Sequence, residues 1–143
     1  MENPIKKSEF KFINFLISRS ELIRIPKGKE QDEYDISIVP SGLIAKKNKI
    51  FQLTLQVQVS EKNERFKASV EAVGFFQFPD DVNKDLLTTF FYTNAPAILF
   101  PYVRAYISSL TALSGMEAVN LPTINLTSKE LQEQLINNTI EEN

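Results

Sequence analysis

Phe51-Gln52-Leu53-Thr54-Leu55-Gln56-Val57-Gln58-Val59-Ser60 alternates apolar with uncharged polar side chains without a break. That is the period of an extended strand with one face buried and the other wet. Glu61-Lys62-Asn63-Glu64 is polar and turn-like. Beyond it Phe66, Ala68, Val70 and Ala72 alternate with Lys67, Ser69 and Glu71, so the two runs read as arms of an antiparallel hairpin. Upstream, Tyr34 to Val39 sets Ile36 and Ile38 against Asp35 and Ser37, and Lys46-Lys47-Asn48-Lys49 supplies a turn into the long strand. The aromatic-rich segment Phe10 to Ile25 changes parity, with Phe10 and Phe12 at even positions and Phe15 and Ile17 at odd ones. A bulge or bend near Ile13 restores a single apolar face. Pro26-Lys27-Gly28-Lys29 ends that segment, and the expected sheet has four antiparallel strands covered on one face.

Downstream the period and the charge both change. From Leu86 to Ser128, a stretch of 43 residues, only Arg104 and Glu117 are charged. Asn94 is placed to cap a helix running from Ala97 to Leu113 and stopping near Gly115, with Pro101 starting or kinking it. Ile98, Tyr102, Ala105 and Ser109 trace one stripe of this helix and Leu99, Val103, Tyr106 and Leu110 the next, with Phe100 and Ile107 farther round. A helix without a charged back needs cover on more than one side. One side can lie on the sheet, and a second copy of the chain is the economical cover for the other. The residues assigned to that subunit contact are Leu99, Tyr102, Val103, Arg104, Tyr106, Ile107 and Leu110. Arg104, the lone charge in the helix, is expected to pair at a subunit or sheet contact. After Gly115 the connector Val119 to Leu126 carries branched aliphatics on an extended backbone. Thr127 or Ser128 then caps a short helix from Lys129 to about Ile136, with Leu131, Leu135 and Ile136 on one side. The polar ends, residues 1–8 and 137–143, are expected to fray.

A chain of 143 residues suits a single domain. It contains no Cys, no His and no Trp. That excludes thiol nucleophiles, imidazole bases, Ser-His-Asp triads and Cys or His zinc sites. Glycine-rich phosphate loops and nucleophile elbows are absent from the sequence as well. Asp80, Asp81 and Asp85 fit the acidic bias ahead of a helix better than a metal or acid-base cluster. Phe75-Phe76-Gln77-Phe78 reads first as core and edge packing. No catalytic residue, metal or cofactor is expected. The 16 basic and 18 acidic residues give a net charge of -2, without the basic excess a nucleic-acid binder needs. Lys11 and Asn14 interrupt any signal-peptide core, which points to the cytoplasm. Leu86 to Val103 approaches membrane-spanning length, but Thr88, Thr89, Thr93, Asn94, Pro96 and Pro101 argue against insertion.

Ala95-Pro96-Ala97-Ile98-Leu99-Phe100-Pro101-Tyr102-Val103-Arg104, then Ile107-Ser108-Ser109-Leu110 and Asn120-Leu121-Pro122-Thr123-Ile124-Asn125-Leu126, resembles the signature region of SecB, the bacterial protein-export chaperone. The arm Phe66 to Phe76, ending in glycine and aromatics, fits the same pattern. The resemblance implies an α+β fold: a four-stranded antiparallel sheet, one long helix and a shorter C-terminal helix, packed as a dimer of dimers. It also implies a homotetramer that binds unfolded polypeptides in hydrophobic grooves without ATP. By position, Leu121, Pro122, Ile124, Leu126, Leu131 and Leu135 form one groove wall, with Phe76 and Phe78 contributing another. Where export members present carboxylates to the SecA motor, this chain has Arg24, Lys67 and Ser69, which argues against docking to SecA. Some SecB-like chaperones instead guard an antitoxin, and export and antitoxin guarding both remain open. The rival from another class is a hotdog-fold acyl-thioesterase, which would need a carboxylate on the central helix. None lies between Ala95 and Met116. A purely structural oligomer without a groove is the third reading.

Overall fold

The computed structural model describes residues 10–25, 33–63 and 65–142. Four long strands, β1 (Lys11–Arg24), β2 (Tyr34–Ala45), β3 (Ile50–Glu61) and β4 (Phe66–Gln77), come first in the chain. They are followed by α1 (Lys84–Thr89), a π-helical turn (Phe90–Asn94), α2 (Ala95–Leu113), α3 (Lys129–Asn137) and a short β5 (Thr139–Glu142). The sheet order is β1-β4-β3-β2-β5. β1 with β4, β4 with β3 and β3 with β2 pair antiparallel, whereas β5 joins the outer edge of β2 in parallel.

The sheet is therefore mixed and five-stranded, not the four-stranded antiparallel sheet expected. The composition of residues 137–143 predicted fraying, yet this polar end finishes α3 and supplies β5. The added strand rests on its backbone, which composition does not report. Gly42 N donates to Asn138 O and Lys46 N to Glu142 O, and the Lys46 ammonium meets Glu141 at 2.8 Å. Gly42 permits the approach, since a Cβ there would lie 2.8 Å from Thr139 Oγ1 and 2.9 Å from the Phe51 ring. The expected fraying of residues 1–8 lies outside the described residues.

One sheet face builds the core. Phe51, Leu53, Leu55, Val57 and Val59 of β3 and Phe66, Ala68, Val70, Ala72 and Phe76 of β4 are all buried. Each large side chain buried this way contributes on the order of 1.5–3 kcal/mol. The pairing of β1 with β4 shifts register between Phe12 and Asn14, the bulge required by the parity change, and again between Ile17 and Arg19. Both bulges keep Phe12, Phe15, Ile17 and Leu22 against the core.

The helical path begins earlier than Asn94. Asn83 caps α1, its side chain accepting from Asp85 N at 2.7 Å, and Asp85 sits in the first turn. Asn94 lies inside the helical path with right-handed helical backbone angles and makes no side-chain cap, because the chain is already helical upstream. The π-helical turn between α1 and α2 buries the consecutive residues Phe90 and Phe91. Phe90 stacks on Phe10 with ring centroids 4.2 Å apart, and Phe91 stacks on Phe51 at 4.3 Å. Pro101 lies within α2 without ending it. Gly115, at φ 87°, turns the chain out of the helix. α2 lies over β1, β3 and β4, and α3 lies over β2.

Candidate functional site

The connector after Gly115 folds back along α2 and is pinned to it by polar contacts. Thr111, fully buried, donates to Ile107 O (2.9 Å) and accepts from Val119 N (2.8 Å). One turn earlier Ser108 Oγ meets Asn120 Oδ1 at 3.1 Å, and Arg104 Nη2 donates to Pro122 O at 3.2 Å. The Arg104 guanidinium also lies 5.4 Å over the Phe100 ring, a cation–π contact. These anchors sink Val119 and Leu121 into the core. They also hold residues 123–127 away from α2.

Between the two elements runs an open groove of about 510 Å³. Ala97, Phe100, Pro101 and Arg104 line one side, and Thr123, Ile124, Asn125, Leu126 and Thr127 the other. Its only charge is the Arg104 guanidinium, whose Nε is buried without a hydrogen-bond partner among the described residues. A mainly apolar groove suits an extended polypeptide, whose apolar side chains bury against its walls. Leu126 also faces a second, smaller cluster, where Leu131 and Leu135 of α3 meet Ile38, Pro40, Leu55, Tyr92 and Pro96. Ser128 caps α3 by accepting from Leu131 N, and Gln132 Nε2 ties it to Thr93 Oγ1 at 2.9 Å.

The structure sorts the residues assigned to a groove wall into two groups. Pro122 is exposed, and Ile124, Leu126 and Leu131 are partly exposed. Phe76, Phe78, Leu121 and Leu135 are buried inside the single chain. The residues assigned to a subunit contact divide the same way. Leu99, Val103 and Ile107 are fully buried within the chain. Tyr102 stays 43% exposed while its ring contacts Phe12 and Phe15, and Tyr106 reaches Ser20 Oγ at 2.8 Å. Leu110 and Arg104 are half-buried. Sequence reasoning passed over Ala97 and Pro101 as groove residues. They sit four apart on one stripe with Ala105, Ser109 and Leu113, all five exposed, and that spacing was available as the signal.

The outer face of the sheet is different in kind. Arg19, Glu21, Gln56, Gln58, Lys67, Ser69 and Glu71 line a shallow polar depression of about 370 Å³. Hydrogen bonds from Gln56 and then Ser18 hold the Glu71 carboxyl below the usual carboxylate range. Among the described residues no helix is long and apolar enough to cross a membrane.

Comparison with known proteins gives this arrangement its relatives. The family model described as "Preprotein translocase subunit SecB" matches residues 24–134. An uncharacterised protein of Methanocaldococcus jannaschii is 34% identical over 134 residues, covering 88% of this chain and 84% of its own length. The protein-export protein SecB of Buchnera aphidicola is 34% identical over 82 residues, 55% of this chain and 57% of that protein. The chain thus spans little more than half the length of that SecB. Among solved structures, a SecB-like chaperone of Mycobacterium tuberculosis in complex with a peptide from the HigA1 antitoxin superposes with a TM-score of 0.68. It does so at 19% identity, over 81% of this chain and 91% of that one. Since the SecB model matches most of its length, the chain belongs to the SecB family.

Proposed function

We propose that this protein is an ATP-independent holdase. It binds extended apolar segments of non-native polypeptide in the groove between α2 and the connector, acts as a homotetramer in the cytoplasm, and performs no catalysis. The observation that carries this reading is the groove itself. Pro101 is exposed, and Ile124 and Leu126 stay partly exposed, along an open groove of the single chain. Exposed apolar surface held open by polar anchors attracts any extended apolar segment. Recognition is degenerate because the client supplies the fit. Family membership supports a chaperone role, and the antitoxin peptide bound by the Mycobacterium tuberculosis relative supports polypeptide as the ligand. Clients are precursors bound for export or an antitoxin. Arg24 and Lys67 on exposed strand surface disfavour docking to SecA.

Two surfaces left uncovered among the described residues support assembly into a tetramer. The stripe Ala97, Pro101, Ala105, Ser109 and Leu113 on α2 is exposed and uncharged. Among the described residues β1 has β4 on one side only, and it exposes Ile13, Leu16 and Ile23. The function is tested by light scattering of an aggregating client. Added at one tetramer per client, the protein is expected to suppress aggregation without nucleotide, and Ile124→Asp with Leu126→Asp to abolish the effect. No suppression by the unaltered chain would defeat the reading.

A further inference from the structure

On the side of the sheet away from the helices, the strand registers align side chains in rows. A Cβ built on Gly74 would meet Leu99 of α2, so Phe75 next to it faces the other way. Residues opposite one another in a ladder share a face. Asn14, Phe75, Gln52, Leu43 and Ile140 thus form one row across the five strands, and Lys11, Gln77, Ile50, Ala45 and Glu142 the next. Near the other end of the strands lies the row Ile23, Lys67, Ser60 and Asp35. Ile140 is 66% exposed, and Leu43, Ile50 and Phe75 are partly exposed and lie outside the core cluster. Neither the core nor the groove accounts for these four apolar side chains. Lys11, Glu142, Lys67 and Asp35 make no salt bridge among the described residues.

β3 is the middle strand, and the charges are placed symmetrically about it. Lys11 and Glu142 lie two strands to either side, Lys67 and Asp35 one strand to either side. A two-fold axis over β3, parallel to the strands, sets each lysine over the matching acid of a second copy. The same rotation lays Phe75 over Leu43, and Gln52 and Ile50 over their own counterparts. An axis across the strands, through the middle of the sheet, would instead set Phe75 on Ser69 and Leu43 on Ser37. We propose that this outer face packs against the outer face of a second copy about the axis over β3, as two aligned sheets do. Three full strands about 4.8 Å apart, with the ends of β1 and β5, offer roughly 700 Å² per copy, within the range of a standard stable interface. The contact lies across the sheet from α2 and the groove. It therefore joins copies beyond those held by the α2 stripe, and leaves the groove open.

The test uses the full chain. In sedimentation velocity at about 100 μM, Lys11→Glu and Glu142→Lys should each lower the mass average about twofold, and the two together should restore it. Within one chain these positions are about 19 Å apart, well beyond the screening length at physiological salt, so restoration requires two copies. Single variants that leave the mass unchanged overturn the proposal, and so does a double variant that stays small. Gln52→Cys supplies the chain's one cysteine on the middle strand, where no contact between sheet edges can bring two copies together. A short bismaleimide is expected to link two chains there, and Phe75→Asp to cut the yield at least about fivefold. If Phe75→Asp does not fold, the charge reversals and the cross-link decide alone. No cross-link overturns the contact, and a cross-link that forms only after residues 1–9 are removed overturns it in favour of that segment as the occupant of the face.

Discussion

Glu71 lies on the outer face of β4, where Gln56 Nε2 donates to one carboxylate oxygen at 2.9 Å and Ser18 Oγ to the other at 2.7 Å. Both bonds favour the charged form, so the folded carboxyl titrates below its unfolded counterpart, whose pKa is about 4.3. The sign follows by linkage: the stabilisation is fully present above the unfolded value and is lost as pH falls through the folded one. Urea midpoints between about pH 6 and pH 3 should fall less steeply for Glu71→Gln than for the unaltered chain. Parallel curves would show that the two hydrogen bonds contribute nothing. None of this was legible beforehand. The alternation of β3 and β4 placed Glu71 on the wet face, but only the register that sets Glu71 beside Gln56 and next to Ser18's bulge brings the three together.

At the scale of elements, what was legible depended on whether side-chain period carries the information. The parity change at Ile13 forced a bulge in β1, because one buried face admits no other solution, and the register shift is there. A hydroxyl cap for α3 was legible for a similar reason, as Thr127 or Ser128 ahead of an amphipathic run, and the structure selects Ser128. The π-helical turn and β5 were not. The turn depends on where Phe90 and Phe91 meet Phe10 and Phe51, residues far away in sequence, and β5 depends on backbone bonds to an edge. The connector is an intermediate case. Its aliphatics were visible, but their division between core and groove is set by Thr111, which accepts the buried Val119 N–H. Thr111→Val keeps the shape and leaves that N–H without a partner. We expect a loss of about 1–3 kcal/mol in urea unfolding at unchanged m, with faster hydrogen exchange confined to residues 116–126. A loss below about 0.5 kcal/mol would mean that the connector is held by its apolar residues alone.

For the whole molecule, the sequence posed a problem of cover: 43 consecutive residues with two charges, more than one sheet face can absorb. The fold absorbs part of it, burying Leu99, Val103, Ile107, Val119 and Leu121 inside the chain. The remainder stays outside as the α2 stripe, and Leu113 at 87% exposure is its plainest member. Ala105 sits in the middle of that stripe and is exposed in the single chain. A glutamate there costs the isolated fold little, because its carboxylate stays hydrated. If a second copy covers the stripe, assembly must strip water from that carboxylate opposite an uncharged surface, at several kcal/mol per chain. Ala105→Glu should therefore shift native mass spectra toward smaller species while leaving the circular dichroism spectrum unchanged, and Ala105→Ser should assemble normally. An Ala105→Glu variant of unaltered oligomeric mass would remove α2 from the subunit contact and leave the open edge of β1 to carry assembly.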